Sequence, residues 1–134
     1  MIVIDTSLAL QWVLPEEDST RADSYLETAK IASPDILIVE VANVLAKKVR
    51  ADNFTLAEAH QALAFVRSSF SQLEPSEPLV ARAMELSAQL GHALYDCVFL
   101  ACAERLGGRL ATRDAPFIKR VTERGFSHLL EPGP

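Results

Sequence analysis

Residues 93–117, ALYDCVFLACAERLGGRLATRDAPF, read as an apolar helix that stops at a glycine pair and runs into a short apolar strand closed by Thr112, Arg113 and Asp114. Asp96 interrupts the apolar run (Leu94, Val98, Phe99, Leu100, Ala101) near its start. There the helix dipole and the free N–H groups of the first turn tolerate a negative charge. Asp114 stands just past the strand. Sites in open α/β sheets are built at the carboxyl ends of strands, so Asp114 falls where chemistry is expected.

Toward the N-terminus the same pattern recurs. Residues 2–4 read as a short buried strand ending at Asp5, with Thr6 or Ser7 placed to cap a helix through residue 13 that Pro15 ends. An acidic start at 16–20 introduces a second helix over 21–31, Pro34 opens a strand at 36–39, and an apolar helix runs over 40–51. Glu40 is thereby a third acid at a strand end. At about 100° per residue, Glu40, Asn43 and Lys47 fall on one narrow stripe of that helix and face a common polar neighbour.

Thr55 and Glu58 form a capping box that starts a helix to residue 70. A short strand at 71–74 and a helix over 79–90, ended by Gly91, follow. After the central stretch, Asp114 caps a last helix with Pro116 in its first turn, and residues 126–130 read as an edge strand. Strands alternating with helices specify a parallel sheet, because parallel neighbours need crossover connections. The expectation is a single α/β domain over 1–134 with four to five short parallel strands and helices on both faces. Asp5, Glu40 and Asp114 then leave three strands at one sheet end, and Asp96 reaches them from its helix.

Composition agrees with one packed domain: 134 residues, 49% hydrophobic and 23% charged, enough to bury about two thirds of the unfolded surface. Ile2, Val3 and Ile4 before an acid are too few for a signal peptide or a spanning helix, so a cytoplasmic location away from membranes is expected. Cys97 and Cys102, five apart on one helix, point in different directions and read as small buried hydrophobes. A net charge of −5 argues against nucleic-acid binding by bulk attraction. Charge is nevertheless uneven: the first 30 residues hold six acids and two bases, whereas 105–124 hold six bases and two acids, Asp114 among them.

Four carboxylates in one cleft repel each other, so the arrangement implies a hard divalent cation, Mg²⁺ or Mn²⁺. His60, His92 and His128 are scattered without ligand spacing and the thiols form no CxxC pair, which disfavours zinc and copper. No phosphate-binding glycine loop is present in the sequence.

The set Ile2-Val-Ile-Asp5-Thr-Ser7, Glu40 with Asn43 three later, Tyr95-Asp96 opening an apolar helix, and Leu110-Ala-Thr-Arg-Asp114 resembles the PIN-domain ribonucleases, specifically VapC-like toxins. The resemblance spans the whole chain through the order and spacing of motifs that are individually weak. It implies Asp5 and Asp96 as principal metal ligands, Glu40 and Asp114 as the rest of the acidic cluster, and Thr6, Asn43 and Thr112 as supports for those carboxylates. It also implies metal-dependent RNA hydrolysis, a homodimer, and a VapB-like antitoxin that silences the site by inserting into a groove. Trp12, Val13 and Leu26 are candidates to line that groove. Arg113, beside Asp114 in the basic stretch, is the first candidate for an RNA phosphate contact.

Three other readings compete. A haloacid-dehalogenase-type phosphatase needs a second Asp two residues after the first, where this chain has Ser7. A receiver-type signalling domain with a phosphoacceptor Asp needs an acidic pair after the first strand and a late Lys at a strand end, which are missing. A non-catalytic PIN-like binding scaffold would have no need for a complete acid set.

Overall fold

The computed structural model describes residues 1–14, 20–27 and 30–132. Pro15 as a helix stop and the acidic stretch at 16–19 lie outside these residues. The strands are β1 (Ile2–Ile4), β2 (Ile31–Pro34), β3 (Gln72–Glu74) and β4 (Arg109–Ala111), in the spatial order β3-β2-β1-β4. All neighbours are parallel, with Val3 opposite Ala32 on one side and Leu110 on the other. Successive strand residues point to opposite faces. Val3 and Ile4 are both fully buried, as are Leu110 and Ala111, so the sheet is covered on both sides.

The helices are α1 (Thr6–Val13), α2 (Thr20–Leu26), α3 (Ile36–Arg50), α4 (Leu56–Ser69), α5 (Val80–Leu90), α6 (Leu94–Arg105) and α7 (Ala115–Glu123). The central apolar helix α6 lies across β1, β2 and β4 with α5 packed against it. Every residue from Cys97 to Ala103 is buried, because a helix held between sheet and helix has no solvent face to keep polar. Gly107, at φ +64, reverses the chain after α6, and Gly108 passes so close to the N-terminus that a Cβ there would lie 2.3 Å from the Met1 carbonyl oxygen. The glycine pair therefore ends the helix and lets β4 enter the sheet beside β1. The Thr55–Glu58 capping box is present in full.

Two expectations need correction in the first half of the chain. The second strand is Ile31–Pro34, not 36–39, and α2 ends at Leu26 rather than at Ile31. Residues 36–39 open helix α3 instead. The β-branched Ile36, Ile38 and Val39 suggest a strand, yet burial follows the helical spacing Leu37, Val41, Leu45, while Val39 is 64% exposed. In a strand Leu37 and Val39 would share a face. The start of α3 is secured from afar, since the Ile36 N–H donates to the Ser76 hydroxyl, which in turn donates to the Asp35 carboxylate. At the C-terminus, the expected edge strand is a 3₁₀ turn (Ser127–Leu129) followed by a single parallel bridge of Leu130 to Leu110. No single helix among the described residues is long and apolar enough to cross a membrane.

Candidate active site

The chain runs from β1 to β2 to β3 on one side and returns to place β4 on the other side of β1. That reversal opens a crevice at the carboxyl ends of β1 and β4, the usual position of a site in a parallel sheet. Asp5 follows β1, and Asp114 follows β4 by three residues. Both cap the helices that begin there. Asp5 Oδ1 accepts from the Leu8 N–H at 3.0 Å and the Ser7 hydroxyl at 2.9 Å, so Asp5 takes the capping role expected of Thr6 or Ser7. Asp114 Oδ1 accepts from the Phe117 N–H at 3.1 Å.

Thr112, only 3% exposed, hydrogen-bonds the Asp5 carboxylate and also accepts from the Asp114 N–H at 3.2 Å. The end of β4 thus supports acids from both strands. Glu40 stands on the second turn of α3 rather than at a strand end, and Thr6 Oγ1 donates to its Oε1 at 2.7 Å. Asp96 projects from the first turn of α6 with its Oδ2 2.7 Å from His92 Nε2.

Burial pushes the Asp5 carboxyl above its ordinary value, against the hydrogen bonds from Thr112, Leu8 and Ser7, and the Asp96 charge pushes the same way. Burial also raises Glu40, against its bond from Thr6, with Asp96 and Asp5 adding repulsion. Asp5, Glu40 and Asp96 are close enough to feel one another. Asp96 joins a second group as well: one ligand atom each from His92, Asp96 and Asp114 lies within 4.8 Å of the others. Among the described residues this is the one such group of three or more His, Cys, Asp or Glu side chains.

All four acids line a single open cleft of about 910 Å³. Arg113 and Lys48 stand at the same cleft, which is otherwise apolar along Leu10, Val13, Leu14, Val44 and Phe54. Mutually repelling carboxylates that stay accessible are a donor set suited to a hard divalent cation. Asn43 is exposed and does not line the cleft. Glu40, Val44 and Lys48 do, because α3 is turned so that the i+4 neighbour of Glu40, not the i+3 neighbour, faces inward. Trp12 is also turned away: its indole N–H donates to the Ala22 carbonyl at 2.7 Å and its ring packs 5.5 Å from that of Phe70. Val13 reaches the cleft and Leu26 does not.

His92 is the residue that sequence reasoning passed over. Its signal was faint: His92 stands four residues before Asp96, just ahead of the Ala93 N-cap of α6, close enough in the chain to reach the first helical turn. Burial raises the thiols of Cys97 to about 11 and Cys102 to about 12, which leaves both as packing residues, as expected.

A parallel sheet of this order with an acid-lined crevice at its reversal point is the plan of an α/β domain built around a carboxylate centre. The chain belongs to the PIN domain family, whose model matches residues 2–123. It is 30% identical to Ribonuclease VapC3 of Pyrobaculum aerophilum over 116 residues, covering 84% of this chain and 88% of that protein. The crystal structure of PAE2754 from the same organism superposes with a TM-score of 0.70 at 25% identity, over 89% of this chain and 78% of that one. VapBC2 from Rickettsia felis, bound to a DNA fragment from its promoter, gives a TM-score of 0.68 at 16% identity, over 98% of each chain. A toxin-antitoxin complex from Klebsiella pneumoniae gives 0.63 at 20%, over 88% of this chain and 90% of that one.

Proposed function

We propose that this chain is a VapC-like toxin: a metal-dependent endoribonuclease that hydrolyses RNA phosphodiester bonds in the cytoplasm and is silenced by a VapB-like antitoxin. The observation that carries the reading is the convergence of Asp5, Glu40, Asp96 and Asp114, from four separate segments of the chain, on one open cleft. The similarity to a ribonuclease over most of both chains supports the same reaction.

Asp5, Glu40, Asp96 and Asp114 would hold Mg²⁺ or Mn²⁺. Bound there, the cation supplies activation of water and neutralisation of charge on the scissile phosphate. Ser7, Thr112 and the Leu8 N–H hold Asp5, and Thr6 holds Glu40, so both carboxylates are oriented before any ligand arrives. Arg113 and Lys48 receive phosphate oxygens at the cleft, where the net-acidic protein would otherwise repel RNA. Water adds to phosphorus and the bond to the 3′ oxygen breaks, so the fragments end in 5′-phosphate and 3′-hydroxyl. End-group analysis of RNA incubated with the purified protein tests this. Fragments carrying a cyclic phosphate would instead indicate attack by the RNA 2′-hydroxyl and would overturn the reading.

The apolar wall of the cleft, Leu10, Val13, Leu14, Val44 and Phe54, supports an antitoxin segment with apolar side chains lying beside the acids. The exposed Val80 and Met84, one turn apart on α5, and Tyr95 on the adjacent α6 supply apolar surface for the homodimer. Arg113→Ala should weaken RNA binding and reduce the salt dependence of log affinity by about 0.7, the value for one single-strand phosphate contact. Binding titrations at several salt concentrations measure the slope, and an unchanged slope removes Arg113 from the RNA path.

A further inference from the structure

The four acids account for an oxygen-only centre, but a nitrogen stands directly behind one of them, His92 Nε2 lying 2.7 Å from Asp96 Oδ2. We infer that His92, Asp96 and Asp114 form a mixed nitrogen and oxygen site that binds a first-row transition-metal ion in preference to Mg²⁺. This rests on the reading of the cleft as a metal centre and adds to it a ligand and a choice of ion.

The geometry supports a shared ion. Ligands at about 2.1 Å from a metal are about 3 Å apart when adjacent and about 4.2 Å apart when opposite. His92 Nε2 and Asp96 Oδ2 share a hydrogen bond of 2.7 Å, slightly inside the spacing of adjacent ligands, and one ligand atom each from His92, Asp96 and Asp114 lies within 4.8 Å of the others. An ion that replaces the proton of this hydrogen bond has the Asp114 carboxylate close by as a third donor.

The turn that carries the imidazole is also held in place independently of any ligand. The Ser87 hydroxyl donates to the His92 carbonyl at 2.5 Å, and the His92 N–H donates back to the Ser87 carbonyl at 3.3 Å. Arg120 Nη1 donates to the Leu90 and Gly91 carbonyls at 3.2 and 3.0 Å, fixing the same turn from α7. The His92 ring rests on Phe117, centroids 4.5 Å apart, and the Phe117 N–H is the group that Asp114 caps. Two of the three donors therefore share one support. Mg²⁺ demands oxygen ligands and sheds water reluctantly, whereas a neutral imidazole favours first-row transition ions. His92 thus biases the centre away from Mg²⁺.

The test adds Mn²⁺ alone to the purified, untagged chain and follows binding by the electron paramagnetic resonance of the free ion. Pulsed measurements on the bound ion should show coupling to a histidine ¹⁴N nucleus. His92→Gln, which can still hydrogen-bond Asp96, should lose the coupling and bind Mn²⁺ more weakly by about a hundredfold or more, above the usual cost of losing a supporting residue, with Mg²⁺ affinity by competition changed less than twofold. Bound Mn²⁺ without nitrogen coupling in the unaltered chain overturns the inference, and needs no variant to fold. Coupling that survives His92→Gln, or equal losses for Mn²⁺ and Mg²⁺, overturns it too, leaving His92 as a residue that only orients Asp96. Absence of any Mn²⁺ binding would overturn the metal-centre reading itself, so the two failures are distinguishable.

Discussion

Excess EDTA should lower RNA cleavage by this chain at least about a thousandfold, and added Mg²⁺ or Mn²⁺ should restore it. The magnitude follows from asking a cation for several kcal/mol of transition-state stabilisation, about 4 kcal/mol being a factor of a thousand in rate. Nothing else lining the cleft replaces that contribution. Asp5 and Glu40 are held in place by hydroxyl and N–H donors, and Asp96 adds a third charge within range of both. Without a cation these groups repel a phosphodiester, and Arg113 and Lys48 contribute charge at the cleft but no activated water. Gel-resolved cleavage of a labelled RNA, with and without chelator, measures the ratio. Cleavage that continues at an undiminished rate in EDTA would sink the metal-dependent mechanism.

Asp96→Asn should reduce cleavage by a hundredfold or more while making the metal-free protein more stable. Asp96 is the common member of both groups in the cleft, so its charge matters to each. In the proposed centre its removal would take away a ligand, a larger loss than the 10- to 100-fold typical of residues that merely support ligands. The stability gain is Coulombic. Two carboxylates about 5 Å apart at an effective dielectric near 20 repel by about 3 kcal/mol. The Asp96 side chain is 41% exposed, so solvent and salt reduce this to about 1 kcal/mol, or about 4 °C in Tm.

The pH dependence has a definite sign. Asp5 and Glu40 are raised in the folded state above their ordinary 3.8 and 4.5, so the folded metal-free protein holds its protons more tightly than the unfolded chain. Their contribution to stability is full below those ordinary values and is lost as pH rises through the raised ones. Asp96→Asn removes part of the repulsion and should flatten that loss. Mg²⁺ should stabilise the unaltered chain more than the variant, because it binds the native site alone. Melting curves for both proteins in EDTA and in Mg²⁺ across pH measure all of this. A variant no more stable in EDTA, and stabilised equally by Mg²⁺, would reduce Asp96 to a charge at a helix start.

Much of this centre was legible in the chain because its acids occupy local positions with local signatures. Asp5 and Asp114 follow short apolar strands and precede helices they can cap, and Asp96 interrupts an apolar helix in its first turn. Such preferences depend on residues within a few positions, as does the Thr55 capping box. Glu40 shows where this ends. Its helix begins at Ile36, four β-branched or apolar residues earlier than local propensity suggests, because the core accepts Leu37, Val41 and Leu45 on one helical face. Its first N–H is satisfied by Ser76, forty residues away. Asn43 lost its expected place for a related reason: the rotation of α3 about its axis is set by what packs against it, and no feature of residues 40–47 specifies that angle. The sheet order, which sets β1 beside β4 and so brings Asp5, Thr112 and Asp114 together, is likewise a matter of long-range burial. His92 joined the cluster only when the α5 end, the α7 start and the Phe117 ring met around it. Neighbours in the chain set which residues can begin and end each element, whereas the faces those elements present to one another are selected by packing of the whole.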